Sequence, residues 1–179
     1  MKNVNISEKD IFQRFDEKIA ELKNTLPPTG RKMGNSCAAH TFNNILDVLE
    51  SEEFDKCYYN NLAIPFSGFG SYTNEKGWKG PCGVVSGAIA AIGIIMGGQE
   101  ETKPQYVPLI FTKAARFAYK FEQEFGSISC HDLCGLNLTK DYQQYKEEHI
   151  WENKCCNFVY FAIDLVRKLT RKDLKSKWE

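Results

Sequence analysis

Apolar positions along this chain recur mostly three or four residues apart, the spacing that places them on one face of an α-helix. Ile11, Phe12, Phe15, Ile19 and Leu22 form the first stripe. Ser7 and Asp10 precede it as N-cap and capping-box residues, and Pro27 and Pro28 are expected to end it. Residues 29–34 read as a linker. Ala38, Phe42, Ile45, Leu46 and Leu49 make a second stripe, capped by Ser36. A weaker helix is expected from Glu52 to about Ala63, with Cys57 in its core and Pro65 as its stop. Residues 67–80, SGFGSYTNEKGWKG, read as a loop, because glycines and turn-forming polar residues dominate there.

The most apolar run follows, from Val84 to Met96, and Pro81 is expected in the first turn of its helix. Gly83 and Gly87 lie one turn apart on that helix, so one face lacks side-chain bulk and another backbone or a cofactor can approach it. A long amphipathic helix spans about Tyr106 to Phe125 and is closed by Gly126. Ser129 and Asp132 frame the start of a short helix that Gly135 ends. Residues 141–149 read as a polar connector. Asn153 is expected to cap a last helix with the stripe Cys155, Phe158, Val159, Ala162, Leu165, Val166 and Leu169. The cations after it, Arg167 to Lys177, fit a solvated helix end that complements the dipole. Nothing sustains the alternation of a strand. The expected fold is all-α, a single domain of five or six helices in bundle-like or orthogonal packing.

A chain of 179 residues is long enough to bury a full core without disulfide staples. Its 23 basic and 23 acidic residues cancel, which argues against a nucleic-acid binder, since that needs a basic field. The longest apolar run is too short to span a bilayer, so no membrane insertion is expected. The N-terminal residues lack the apolar core of a signal peptide, and a cytoplasmic location is expected. In a reducing compartment seven cysteines point to metal or redox chemistry in place of structural bridges.

Four of the seven, Cys37, Cys82, Cys130 and Cys155, are each expected in the first turn of a helix. Free N–H groups and the dipole there favour thiolates. Converging, the four would suit an iron–sulfur cluster, a zinc ion or dithiol–disulfide exchange. Buried packing is the ordinary alternative for each of them. His40 and His131 are candidate hydrogen-bond donors or mixed-site ligands, while His149 reads as solvated. Cys134, four residues after Cys130, is a candidate resolving thiol or alternate ligand. Cys156 is an alternate to Cys155 that points about 100° away from it. Tyr72 and Trp78 flank the glycine-rich loop as a cofactor cover or as docking anchors. No phosphate-binding loop, paired acid–base carboxylates or serine nucleophile elbow occurs.

The order of short motifs is more specific than any one of them. Asn35-Ser36-Cys37-Ala38, Gly68-Phe69-Gly70, Cys82-Gly83-Val84-Val85-Ser86-Gly87-Ala88, Phe125-Gly126-Ser127-Ile128-Ser129-Cys130 and Cys155 with Phe158-Val159 resemble the C-GCAxxG-C-C family of redox-active proteins. The resemblance covers residues 35–169 and makes 35–179 the redox domain, with 1–34 an N-terminal helix and linker packed against it. It implies that Cys37, Cys82, Cys130 and Cys155 are the signature cysteines. A similar domain in split-Soret cytochrome c implies an iron–sulfur cluster, of 2Fe-2S type, and a homodimer. Family members lie near transporter genes, which implies a transporter-associated redox partner. Val84 stands where relatives usually have alanine, and the loop at Ser71 and Tyr72 is less glycine-rich than theirs. No C-x-x-C-H occurs, so covalent haem is excluded. The expected function is electron transfer or redox sensing without substrate turnover. The alternatives are a thiol–disulfide oxidoreductase using the same cysteines and a structural zinc domain.

Overall fold

The computed structural model describes residues 10–29, 36–51 and 54–179, with 27–29 described by backbone alone. Six helices of 13 or more residues carry the fold: α1 (Ile11–Thr29), α2 (Cys37–Leu49), α3 (Lys56–Phe69), α4 (Gly83–Gly97), α5 (Val107–Phe125) and α8 (Cys156–Leu169). Three short ones, α6 (Cys130–Cys134), α7 (Tyr142–Glu147) and α9 (Arg171–Lys177), fill the connections. Among the described residues there is no strand, only two isolated bridges, Thr73 with Lys79 and Pro81 with Ser129. The all-α reading therefore holds.

The centre is α4, which packs against α2, α3, α5, α8 and α9. Its small and β-branched residues bury Val84, Val85, Ala88, Ala91, Ile92 and Ile95. Phe117 and Phe121 of α5 and Val159, Ala162 and Ile163 of α8 close the core around it. On the far side α1 packs on α2 and α8 through Ile11 and Phe15. The C-terminal cations do more than complement a dipole. Arg167 bonds Asp16 and Asp164, and Arg171 and Lys175 lie over the Phe12 ring, so they fasten α1 to α8 and α9. Trp178 donates its indole N–H to the Ile95 carbonyl and pins the chain end to α4. Among the described residues no helix is long and apolar enough to cross a membrane.

Five boundaries differ from the sequence reading, three of them at proline. The first helix continues through Pro27 and Pro28 to Thr29; the carbonyls these prolines leave without donors belong to exposed Lys23 and Asn24, which water can reach. Ser7, its expected cap, lies outside the described residues, and Asp10 accepts from the Phe12 N–H (2.9 Å). Helix α3 starts at Lys56, capped by Asp55, and runs through Pro65 to Phe69; the carbonyl that Pro65 leaves without a donor belongs to exposed Asn61. Ser67, Gly68 and Phe69 are therefore helical, and the loop begins at Gly70. Cys57 is exposed on α3 and takes no part in the core. Pro81 precedes α4 and sits in a bridge, leaving Cys82 as the N-cap. Asn153 caps nothing: it lies within a π-helical turn, Trp151–Cys155, that feeds directly into α8, and its side chain donates to the Glu148 carbonyl (3.1 Å).

Candidate functional site: a buried row of thiols

Cys82 and Cys130 are brought together by main chain. The Cys82 N–H donates to the Ile128 carbonyl (2.7 Å) and the Cys130 N–H to the Gly80 carbonyl (3.2 Å), an antiparallel bridge of minimal length. Pro81 is at its centre because neither bond needs a proline N–H. Gly80 is required there: a Cβ on it would lie 2.0 Å from the Phe69 carbonyl oxygen. The turn at the end of α3 thus presses directly on the bridge. From there Ser129 caps α6 by accepting from the Asp132 N–H (3.3 Å), which sets Cys130 as its first residue. Outside, Lys79 pairs with Asp132 and holds its carboxyl below the usual carboxylate range.

Cys37 arrives by helix packing. Ser36 caps α2 by accepting from the Ala39 N–H (3.1 Å), and Ser67 of α3 accepts from the Ala38 N–H (3.0 Å). The start of α2 lies on the glycine face of α4, where a Cβ on Gly87 would come within 2.4 Å of the Ala38 carbonyl oxygen. Of the two approaches the glycine pair could allow, backbone or cofactor, the structure contains the backbone. Cys155 arrives from the π-helical turn, so it has no helix N-terminus of its own. The Tyr145 hydroxyl of α7 donates to its sulfur (3.7 Å).

These placements change the electrostatic expectation. The N–H groups of Ala38, Ala39, Cys82, Cys130 and Asp132 are committed to serines or carbonyls and do not point freely at sulfur. What faces each sulfur is mainly another sulfur. Cys130 contacts Cys82 and Cys134, and Cys155 contacts Cys134 and Cys37, with 4.0 Å between the Cys134 and Cys155 sulfurs. The order is Cys82, Cys130, Cys134, Cys155, Cys37, a continuous row in which every member is buried. Contacts with Cys130 and Cys155 hold the Cys134 thiol well below the ordinary thiol range against the opposing effect of burial, and the nearby Lys154 and His131 add to this. Cys130 and Cys155 are pushed up by the same contacts, then by Cys82 and Cys37, then by burial. Of the three inner thiols, Cys134 is therefore the one whose surroundings favour loss of the proton.

The remaining candidates sit outside the row. His40 packs its ring against Trp151 (centroids 5.3 Å apart). His131 is on the surface beside Asp132, and His149 is exposed. Cys156 is buried beside Tyr160, and burial pushes its thiol up to about 11. Trp78 packs its ring at a tilt against both Tyr72 and Phe69, an exposed aromatic cap on the loop. Tyr145 was missed by sequence reasoning, since a tyrosine in a polar connector carries no signal of its own. Among the described residues, no three His, Cys, Asp or Glu side chains gather closely enough to hold a single metal ion.

Residues 35–169 match the protein family described as "putative redox-active protein (C_GCAxxG_C_C)". The chain belongs to this family. No curated protein and no solved structure matches it. The four cysteines singled out by resemblance to the C-GCAxxG-C-C family all lie in the row, and Cys134 stands between the pairs they form.

Proposed function

We propose that this C-GCAxxG-C-C protein holds an iron–sulfur cluster of 2Fe-2S type through Cys37, Cys82, Cys130 and Cys155, and serves in electron transfer or redox sensing. The observation that supports this reading is the convergence of four distant cysteines into one buried row. The donor set fits the group, because soft thiolates are the ligands such clusters take. The linear order also suits a binuclear group better than one tetrahedral ion, whose four sulfurs must surround a single point. When bound, the cluster supplies one-electron chemistry at a potential set by its surroundings.

The chain's own contribution is positional. The bridge at Gly80–Cys82 and Ile128–Cys130 fixes one pair of sulfurs, and the α2–α4 contact at Gly87 fixes the depth of Cys37. Burial excludes water from all four. The Tyr145 hydroxyl offers a hydrogen bond to the Cys155 sulfur, which favours added negative charge there.

Anaerobic reconstitution with ferrous iron and sulfide tests the reading. The expected result is a broad visible band with iron and sulfide bound in equal amounts, an electron paramagnetic resonance signal on reduction, and loss of both in Cys82→Ser. Protein that retains no iron after reconstitution overturns it.

A further inference from the structure

The row contains one thiol more than a four-cysteine site needs. Cys134 is absent from the signature positions, yet it is the member that touches both inner neighbours. Cys130 precedes it on the same short helix. Cys155 comes from a different element, and its sulfur faces that of Cys134 at 4.0 Å. Both ends of this contact are held: Lys154 donates to the Cys134 carbonyl (3.3 Å), and the Tyr145 hydroxyl donates to the Cys155 sulfur (3.7 Å). A disulfide needs sulfurs about 2.05 Å apart, so the two must approach by about 2 Å to form one. Each of the two residues is only 3% exposed, which restricts an oxidant to the size of hydrogen peroxide.

We infer that Cys134 and Cys155 are a peroxide-responsive dithiol, whose disulfide withdraws Cys155 from the four-cysteine set. Withdrawal of a ligand rests on the cluster reading, whereas formation of the disulfide does not. In the first step the Cys134 sulfur takes one oxygen from hydrogen peroxide, its S–H becomes S–OH, and one water leaves. In the second the Cys155 sulfur attacks the sulfenic sulfur, the S–O bond breaks, and the oxygen departs as a second water with the Cys155 proton. Two thiols lose two electrons and two protons, and one peroxide takes up both to become two waters. A dithiol reductant reverses the change by thiol–disulfide exchange.

The test uses the metal-free full chain treated with hydrogen peroxide, then alkylated in denaturant and mapped by mass spectrometry. The expected result is two fewer alkylated cysteines and a single cross-linked peptide joining Cys134 to Cys155, both reversed by dithiothreitol. Cys155→Ser should instead leave a sulfenic acid on Cys134 that a cyclic dione traps. Iron uptake on reconstitution should fall at least tenfold after peroxide in the wild type, return after dithiothreitol, and be unaffected by peroxide in Cys134→Ser. A cross-link between other cysteines, or oxidation without a cross-link, overturns the inference. If untreated protein binds no iron but the Cys134–Cys155 link forms, the cluster reading fails and the dithiol stands. If iron binds and the link never forms, the dithiol alone fails.

Discussion

The two ends of the thiol row are built differently. At one end Cys82 and Cys130 are locked by two main-chain hydrogen bonds and a glycine with backbone pressed against it. At the other, Cys37 and Cys155 are placed by helix packing, two serine caps and a tyrosine hydroxyl. The first end depends on main-chain bonds, the second on helix packing over the Gly87 face and on several side chains. Main-chain bonds fix a sulfur whatever the neighbouring side chains are, while a packed end can relax by small helix shifts. The Cys82–Cys130 end should therefore fail all at once, and the Cys37–Cys155 end by degrees.

The sharpest way to break the comparison is Gly80→Ala. Its Cβ would meet the Phe69 carbonyl oxygen, a backbone atom with nowhere to go, so a loss of ~3 kcal/mol or more is expected in chemical denaturation. Gly68→Ala is the matched control: it lies in α3 with open space around it, and should gain up to ~1 kcal/mol of helix propensity. A Gly80→Ala protein as stable as wild type would show that the bridge is not rigid.

Gly87→Ala attacks the other end through the α2–α4 contact. Overpacking against the Ala38 carbonyl should lower stability by about 2 kcal/mol, less than Gly80→Ala because α2 can slide as a unit. Melting of the two variants side by side measures the difference in stiffness directly. Ser67→Ala removes one of the two serine caps and leaves the Ala38 N–H without its acceptor, for an expected loss of about 1 kcal/mol. Tyr145→Phe removes the O–H···S contact and keeps the ring, and should cost about 0.5 kcal/mol while leaving the Cys82–Cys130 end intact, as read by amide hydrogen exchange at Cys82 and Cys130.

The smallest effect belongs to the outermost tie. The Asp132 carboxyl is depressed chiefly by its hydrogen bond to Lys79, so the pair's stabilisation is present above the unfolded carboxylate value of about 3.9 and disappears as pH falls through the lower folded value. Both side chains are more than a third exposed, so solvent screening leaves a few tenths of a kcal/mol. Lys79→Met should therefore melt slightly below wild type at pH 7 and together with it near pH 2.

The caps were legible because capping is local: Ser36, Ser129, Gly126 and Gly135 each act within a few residues, and each appears where the pattern puts it. The prolines were misread for the opposite reason. Whether Pro65 ends a helix depends on whether the carbonyl it strands can reach water, and that is set by which face of α3 turns outward. Cys155 was placed after a cap at Asn153, but the chain enters α8 through a π turn that no local signal announces. Cys57 carries the same side chain as Cys134; one is exposed on α3 and the other is at the centre of the row.

By itself the sequence determined the helical class, the apolar centre at α4 and the family, because helical periodicity, small-residue runs and motif order are written along the chain. Tertiary structure alone decided which sulfurs meet and in what order. Cys134 lies next to Cys130 through one helical turn but reaches Cys155 across 21 positions, and only the packing of α6 against the entry to α8 sets their sulfurs 4.0 Å apart. Contact between distant residues is a property of how faces pack, and side-chain identity at each position does not specify it.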